Sequence, residues 1–226
     1  MTRFSRFLAA LFALFLFSWI GLVVVPYIQI GKMQAVVDQE SGEAYPVDSG
    51  GLIAAGREVY AANGCVTCHT QQVLPGFAGA DIARKWGLRQ SVARDYLYER
   101  PAFLGSARIG PDLSNVGLRR RDAAWHHAHL YDPRSVVRDS IMPSFKHLYE
   151  ERKLVGQTSM EALKLSERNS AREGYQIVPT SEANALVAYL MALDRSHTVP
   201  EAIQEAKPDE PAPATAAEPA AAGVSK

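Results

Sequence analysis

Cys65 and Cys68 are the only cysteines of the chain, and they stand three positions apart with His69 directly behind them, in the stretch GCVTCHT (Gly64 to Thr70). Three kinds of chemistry use two thiols at this spacing. A structural zinc ion takes four ligands, usually from two such pairs, so without a third cysteine it would have to recruit distant histidines. A redox dithiol sits at the start of a helix in a βαβ setting, where the dipole lowers the thiol pKa. Here the periodic segment comes before the motif, not after it. Cys-x-x-Cys-His as a covalent haem c site accounts for every residue. The thiols add across the two vinyl groups of the porphyrin, the intervening residues set the reach, and His69 lies beneath the iron as its proximal ligand. One motif implies one haem c.

The second axial position has several candidates: Met33, Met142, Met160 and Met191 as sulfur donors, and His126, His127, His129, His147 and His197 as nitrogen donors. A methionine would give the iron a higher reduction potential than a second histidine. Met33 is close to the apolar N-terminal segment, Met160 lies in a polar stretch, and Met191 belongs to a helix where a core thioether is the commoner role. Met142 sits in SIMPSF, where Pro143 stops a preceding helical stretch and leaves the side chain in a loop; it is the expected ligand. WHHAHL (Trp125 to Leu130) resembles a metal cluster, but on a helix His126 and His129 share a face that His127 does not. A surface or propionate-side position is expected for these rings. In RIGPDL (Arg108 to Leu113), Gly110 and Pro111 build a turn. Its backbone could accept the Nδ1 proton of His69, fixing the ring, and Arg108 could pair with a haem propionate.

These residues need elements to hold them. Leu52, Ala55, Gly56, Val59 and Tyr60 repeat at helical spacing, predicting a short helix that stops at Asn63-Gly64, so the cysteine motif hangs from its C-terminal end. A second helix is expected over about 181–194, with Thr180 as N-cap, Glu182 in its first turn, and Leu186, Tyr189, Leu190 and Leu193 as its buried stripe. Shorter helices are expected near 91–100 and 122–131. No alternating run predicts a sheet. The polar stretch 146–175 reads as a surface excursion, and the Ala/Pro-rich residues 198–226 as a disordered tail.

The chain of 226 residues carries 24 basic and 24 acidic residues, a balance that gives nucleic acid no basic face to bind. Charge is unevenly placed, however. Arg3 and Arg6 precede an uncharged stretch, Phe7 to Gly31, whose apolar run matches the ~20 residues needed to cross ~30 Å of hydrocarbon. It is longer than the ~7–15-residue core of a secretory signal and lacks a small-residue cleavage site. A retained transmembrane anchor is therefore expected over 1–31, with Arg3 and Arg6 on the cytoplasmic side and everything from about Lys32 outside. In a bacterium that places the haem motif in the periplasm, with the anchor crossing the inner membrane once. Residues 32–51 read as a linker and 52–197 as the haem domain.

With these residues placed, the chain resembles the mono-haem subunit II of cbb3-type cytochrome c oxidases. The resemblance runs from the anchor to about His197. It rests on GCVTCHTQQV, DIARKWG (81–87), SVARDYLYERP (91–101), GSARIGPDLSNVG (105–117), WHHAHLYDPRSV (125–136) and SIMPSF (140–145), in that order. It implies a mainly α chain with one N-terminal transmembrane helix and a class I-like cytochrome c domain. Cys65 and Cys68 become thioether anchors, His69 and Met142 axial ligands, and Pro111 the carbonyl partner of His69. It also implies an electron relay from a donor cytochrome c or a dihaem cytochrome c subunit to the oxygen-reducing haem-copper subunit. Leu74 stands where the family is expected to carry a loop arginine, and 146–175 and the tail extend beyond its compact domain.

No histidine precedes Lys32, so the anchor cannot ligate a haem within the bilayer, and oxygen chemistry belongs to another chain. The protein is then an electron-transfer subunit with no catalytic residues of its own. Two other roles share one anchor and one haem c: the small subunit of a nitric oxide reductase, and a free membrane-tethered shuttle.

Overall fold

The computed structural model describes residues 2–37, 42–165 and 169–202. Contacts divide the chain into two units, Met1–Val47 with Val92–Glu99, and Asp48–Ser91 with Arg100–Lys226. In the first unit, Thr2 caps helix α1 (Arg3–Trp19) by accepting from the Ser5 N–H. A wide π turn, Ile20–Val24, leads into α2 (Val25–Ile30). Pro26 explains the wide turn. It has no N–H to give the preceding turn and its ring crowds that carbonyl; the Val25 N–H bonds back to Ile20 O. Together Arg3–Ile30 make a 28-residue helix, with mean hydropathy 2.7 in its most apolar window and none of that window buried. At ~1.5 Å per residue this is long and apolar enough to cross a membrane.

Segment 32–51 was expected to be irregular, yet it contains a short ribbon in which β1 (Val36–Val37) pairs antiparallel with β2 (Ala44–Tyr45). The helix expected near 91–100 is reduced to one 3₁₀ turn, Ala93–Tyr96. Asp95 is the reason. Its carboxylate takes the Val92 N–H at 2.9 Å and the Tyr45 hydroxyl at 2.8 Å, so the side chain serves the turn in place of a continuing helix.

The second unit is built on two crossing helices, α3 (Gly51–Ala62) and α7 (Ser181–Ala192). They meet at Gly56: a Cβ there would lie 1.9 Å from the Ala185 carbonyl oxygen, so only glycine lets the backbones approach this closely. Tyr60, 1% exposed, packs its ring 5.5 Å from Tyr189 and 5.6 Å from Phe103. Leu186, Tyr189, Leu190 and Leu193 are buried as the periodicity predicts. Each Leu so buried contributes on the order of 1.5–3 kcal/mol. Thr180 caps α7 through the Ala183 N–H. The α3 stripe is rotated from the expected one: Leu52 is 54% exposed, while Arg57 lays its guanidinium 4.1 Å from the Phe103 ring centroid. Ile53, not Leu52, packs against the core.

Between these helices come α4 (Val116–Arg119), α5 (Ala123–Tyr131) and α6 (Pro133–Val136). Asp122 caps α5 through the Ala124 N–H. A two-stranded antiparallel ribbon follows, β3 (Tyr149–Lys153) against β4 (Tyr175–Pro179), with Glu151 opposite Ile177. This corrects the expectation that no sheet forms and that 146–175 is only a surface excursion. Leu148 and Tyr149 are 1% and 8% exposed, and Leu163 and Leu165 also pack against the core. The ribbon escaped the sequence pattern because β3 is almost wholly charged and borrows its apolar face from Ile177 and Val178. Val199, assigned to the tail by composition, is 2% exposed; the disorder expected for 203–226 lies outside the described residues.

Candidate functional site

Helix α3 ends where it must for the motif to turn. Asn63 returns its side-chain amide to Val59 O at 2.9 Å, and Gly64 adopts φ +67°, a left-handed stop that costs glycine little. The next residues, Cys65–Thr67, form one 3₁₀ turn, closed by Cys68 N–H to Cys65 O at 3.2 Å and His69 N–H to Cys65 O at 3.0 Å. Both thiols and the imidazole therefore leave a single turn of backbone. The cysteines are unbonded and half-buried. Burial pushes the Cys65 thiol up to about 11, the opposite of what a redox dithiol requires.

His69 is held from behind. Its Nδ1 lies 2.8 Å from the Pro111 carbonyl oxygen, and since a carbonyl only accepts, Nδ1 carries the proton; in the neutral ring Nε2 then holds the lone pair. That carbonyl is positioned by a short backbone ladder between the two segments, with Gly110 N–H to Cys68 O at 3.0 Å and Leu113 N–H to Thr70 O at 2.8 Å. Gly110 lies against the ring itself, and a Cβ there would come within 2.2 Å of His69 Cε1 and 2.7 Å of Nδ1.

Polar side chains brace this ladder. Asp112, 0% exposed, accepts from the Thr70 hydroxyl at 2.6 Å, the Gln72 N–H at 2.7 Å and the Ser114 N–H at 2.8 Å. Arg108 reaches Asp81 Oδ1 at 2.6 Å, Gln72 O at 2.6 Å and Thr70 Oγ1 at 3.1 Å. The guanidinium is thus committed to holding 70–72, with one N–H on each terminal nitrogen left for another acceptor. Asp81 is itself 0% exposed and also accepts the Leu74 N–H at 2.7 Å. Replacing Arg108 by Met would strand this carboxylate, and the expected cost is about 3–5 kcal/mol. Chemical denaturation of the two proteins measures it; equal midpoints would show that Asp81 does not depend on Arg108.

The methionines separate by position. Met160 is fully exposed and Met191 is 36% exposed on α7, while Met33 belongs to the first unit. Met142 is half-buried and packs against the same hydrophobic core as Cys65, Val66, Leu113 and Phe145. Its loop is pinned by Phe145 N–H to Leu130 O at 2.8 Å.

Of the α5 histidines, expected at a surface or on the propionate side, His126 is buried and His127 and His129 are half-buried, and each faces a different partner. His126, 3% exposed, bonds Arg120 O through Nε2 at 2.8 Å. His127 Nδ1 lies 3.2 Å from the Tyr149 hydroxyl. His129 stacks on Trp125 at 4.8 Å between centroids and 9° between planes. Burial lowers the pKa of all three; His129, with His69, His126 and Arg120 adding repulsion, falls to about 4. At neutral pH these rings are uncharged. His147 bonds Asn63 Oδ1 through Nε2 at 2.9 Å, tying the loop after Met142 to the end of α3.

Two contributors escaped the sequence reading. Gly110 was read only as a turn former, and Asp112 was not singled out; its one signal is an acid placed directly after the Gly-Pro turn. A zinc ion on Cys65 and Cys68 would need two further ligands, and among the described residues no three of His, Cys, Asp or Glu converge. Two unbonded thiols, an imidazole whose Nδ1 proton is tied down, a glycine flat against that ring, and apolar side chains around them fit a covalently held haem. A family model described as "Cytochrome C oxidase, mono-heme subunit/FixO" matches residues 5–176. No curated protein matches the chain.

Proposed function

We propose, from the premise that the chain belongs to the family of mono-haem cytochrome c oxidase subunits known as FixO, that it is the membrane-anchored electron relay of a cbb3-type oxidase. Cys65 and Cys68 would hold one haem c through thioethers, and His69 and Met142 would ligate its iron. When bound, the haem supplies an iron that takes up and gives back one electron. The rest is the work of the polypeptide. The Pro111 carbonyl keeps the proton on Nδ1 of His69 and so presents Nε2 as a ligand atom. Arg108 and Asp112 hold the ladder that sets that carbonyl. The anchor Arg3–Ile30 keeps the domain at the bacterial inner membrane, with Arg3 and Arg6 inside and the haem domain in the periplasm. There it takes electrons from a donor cytochrome c or dihaem cytochrome c subunit and passes them to the haem-copper subunit that reduces oxygen.

The observation that carries this reading is the 2.8 Å bond from His69 Nδ1 to Pro111 O, set directly behind two unbonded thiols on one turn. Solubilisation of native membranes tests it. The chain is expected to copurify with a large haem-copper subunit in a complex that consumes oxygen. Nitric oxide consumption by that complex, or migration of the chain alone, would overturn the oxidase assignment in favour of the reductase or the free shuttle. Met142→Ala is expected to leave the haem attached while removing the sulfur-to-iron absorption of the oxidised protein. If that band survives, Met142 is not the ligand.

A further inference from the structure

Asp112 is a buried anion with no cationic partner at its carboxylate. It is 0% exposed, and its oxygens meet three neutral donors: the Thr70 hydroxyl, the Gln72 N–H and the Ser114 N–H. Among the described residues none forms a salt bridge with it; Arg108 is paired with Asp81, and Arg119 reaches the Asp112 backbone carbonyl, not the carboxylate. Arg108 stands one hydroxyl away, its Nε donating to Thr70 Oγ1 at 3.1 Å, so the carboxylate is hydrogen-bonded but not directly ion-paired. Its place in the chain matters as much. It follows Pro111, whose carbonyl holds His69, and it is bonded to Thr70, which follows His69. Its field also reaches the far side of the motif. The Tyr60 phenol, raised chiefly by burial, is raised further by Cys65, Tyr189 and Asp112.

We propose that the Asp112 carboxylate is a fixed negative charge that sets the reduction potential of the haem iron, holding it below the value the same site would have with a neutral residue. The inference rests on the haem c reading above. Reduction adds one electron to the iron and, in this scheme, no proton. A buried anion therefore opposes it, and in an interior of low dielectric the opposition is poorly screened. The three donors moderate the charge: each bond withdrawn should make it more strongly felt.

Two variants of the full-length chain, followed by spectroelectrochemical titration, separate charge from scaffolding. Asp112→Asn keeps the shape and removes the charge. It is expected to favour the reduced iron at least tenfold, which for one electron is a rise of about 59 mV. Thr70→Val keeps the charge, withdraws one donor from it and frees the Arg108 Nε that bonded the same hydroxyl; Arg108 stays held by Asp81 and Gln72, and the variant is expected to move the equilibrium less and in the opposite direction. A haem-loaded Asp112→Asn protein with unchanged potential, or a shift of both variants in the same direction, would overturn the proposal and leave Asp112 a scaffold residue only. Should Asp112→Asn fail to fold, the sign of the Thr70→Val shift decides: a fall supports the charge, and a rise or no change rejects it. Haem staining of the denatured wild-type chain stands apart from these outcomes, since its absence would remove the haem reading itself.

Discussion

Exchange of both Cys65 and Cys68 for serine is expected to abolish covalent haem altogether: no haem stain on a denaturing gel, where the wild-type chain is expected to stain. The two sulfurs leave one 3₁₀ turn at the end of a helix whose packing does not depend on them, since α3 is seated on α7 through Gly56 and Tyr60. Helical content should therefore persist while the cofactor is lost. Retention without thioethers would need a deep apolar pocket, and the flanking cover here comes from side chains that are only half-buried, among them Val66, Leu113, Met142 and Phe145. The single variants should behave differently from the double one. Each leaves one thioether and so a stain, with an altered spectrum of the reduced haem. A double variant that still stains would show that attachment runs through other residues, and unstained wild-type protein would end the haem c assignment.

What could be read from sequence divides along a physical line. The long apolar N-terminal helix, the two long helices of the second unit, Thr180 as a cap and Gly64 as a stop follow from local rules, because hydropathy and capping act within a few residues. The Cys65, Cys68 and His69 triplet was equally local. The ribbon was not: Tyr149–Lys153 has no apolar alternation of its own, and its partner lies beyond a long loop at Tyr175–Pro179. Leu52 misled because the face of the helix that meets the core is carried by Ile53, Gly56 and Tyr60, a rotation that local periodicity does not separate from the expected one. The α5 histidines were placed at a surface or beside a propionate, and the surface half of that reading fails for His126, whose Nε2 finds Arg120 O inside; His127 meets the Tyr149 hydroxyl and His129 stacks on Trp125. At the site, a turn at Gly110-Pro111 was legible, whereas the fit of Gly110 against His69 depends on a ladder joining residues some forty positions apart.

That fit makes Gly110→Ala the second large effect expected of a single substitution. The backbone at Gly110 is not in the left-handed region, so that strain does not enter, and the nearest obstacle is the imidazole. The new methyl would sit 2.2 Å from Cε1, 2.7 Å from Nδ1 and 2.9 Å from Nε2 of His69, all well inside van der Waals contact. Neither backbone can retreat cheaply. Gly110 N–H is bonded to Cys68 O, Leu113 N–H to Thr70 O and His69 N–H to Cys65 O, so separating the strands breaks the ladder. Rotating the ring instead forfeits the Nδ1 bond to Pro111 O. Either route costs about 3 kcal/mol, and the second also misdirects the ligand nitrogen. The expected protein keeps its thioethers, because Cys65 and Cys68 are untouched, but melts at lower temperature and shows a weakened or lost His69 ligation in its absorption spectrum. Gly156→Ala is the control. That glycine has φ +77° and nothing within 4 Å of a Cβ, so it should lose only the ~1 kcal/mol of backbone strain with no spectral change. A Gly110→Ala protein indistinguishable from wild type in both melting and spectrum would mean that His69 is not clamped between Gly110 and Pro111.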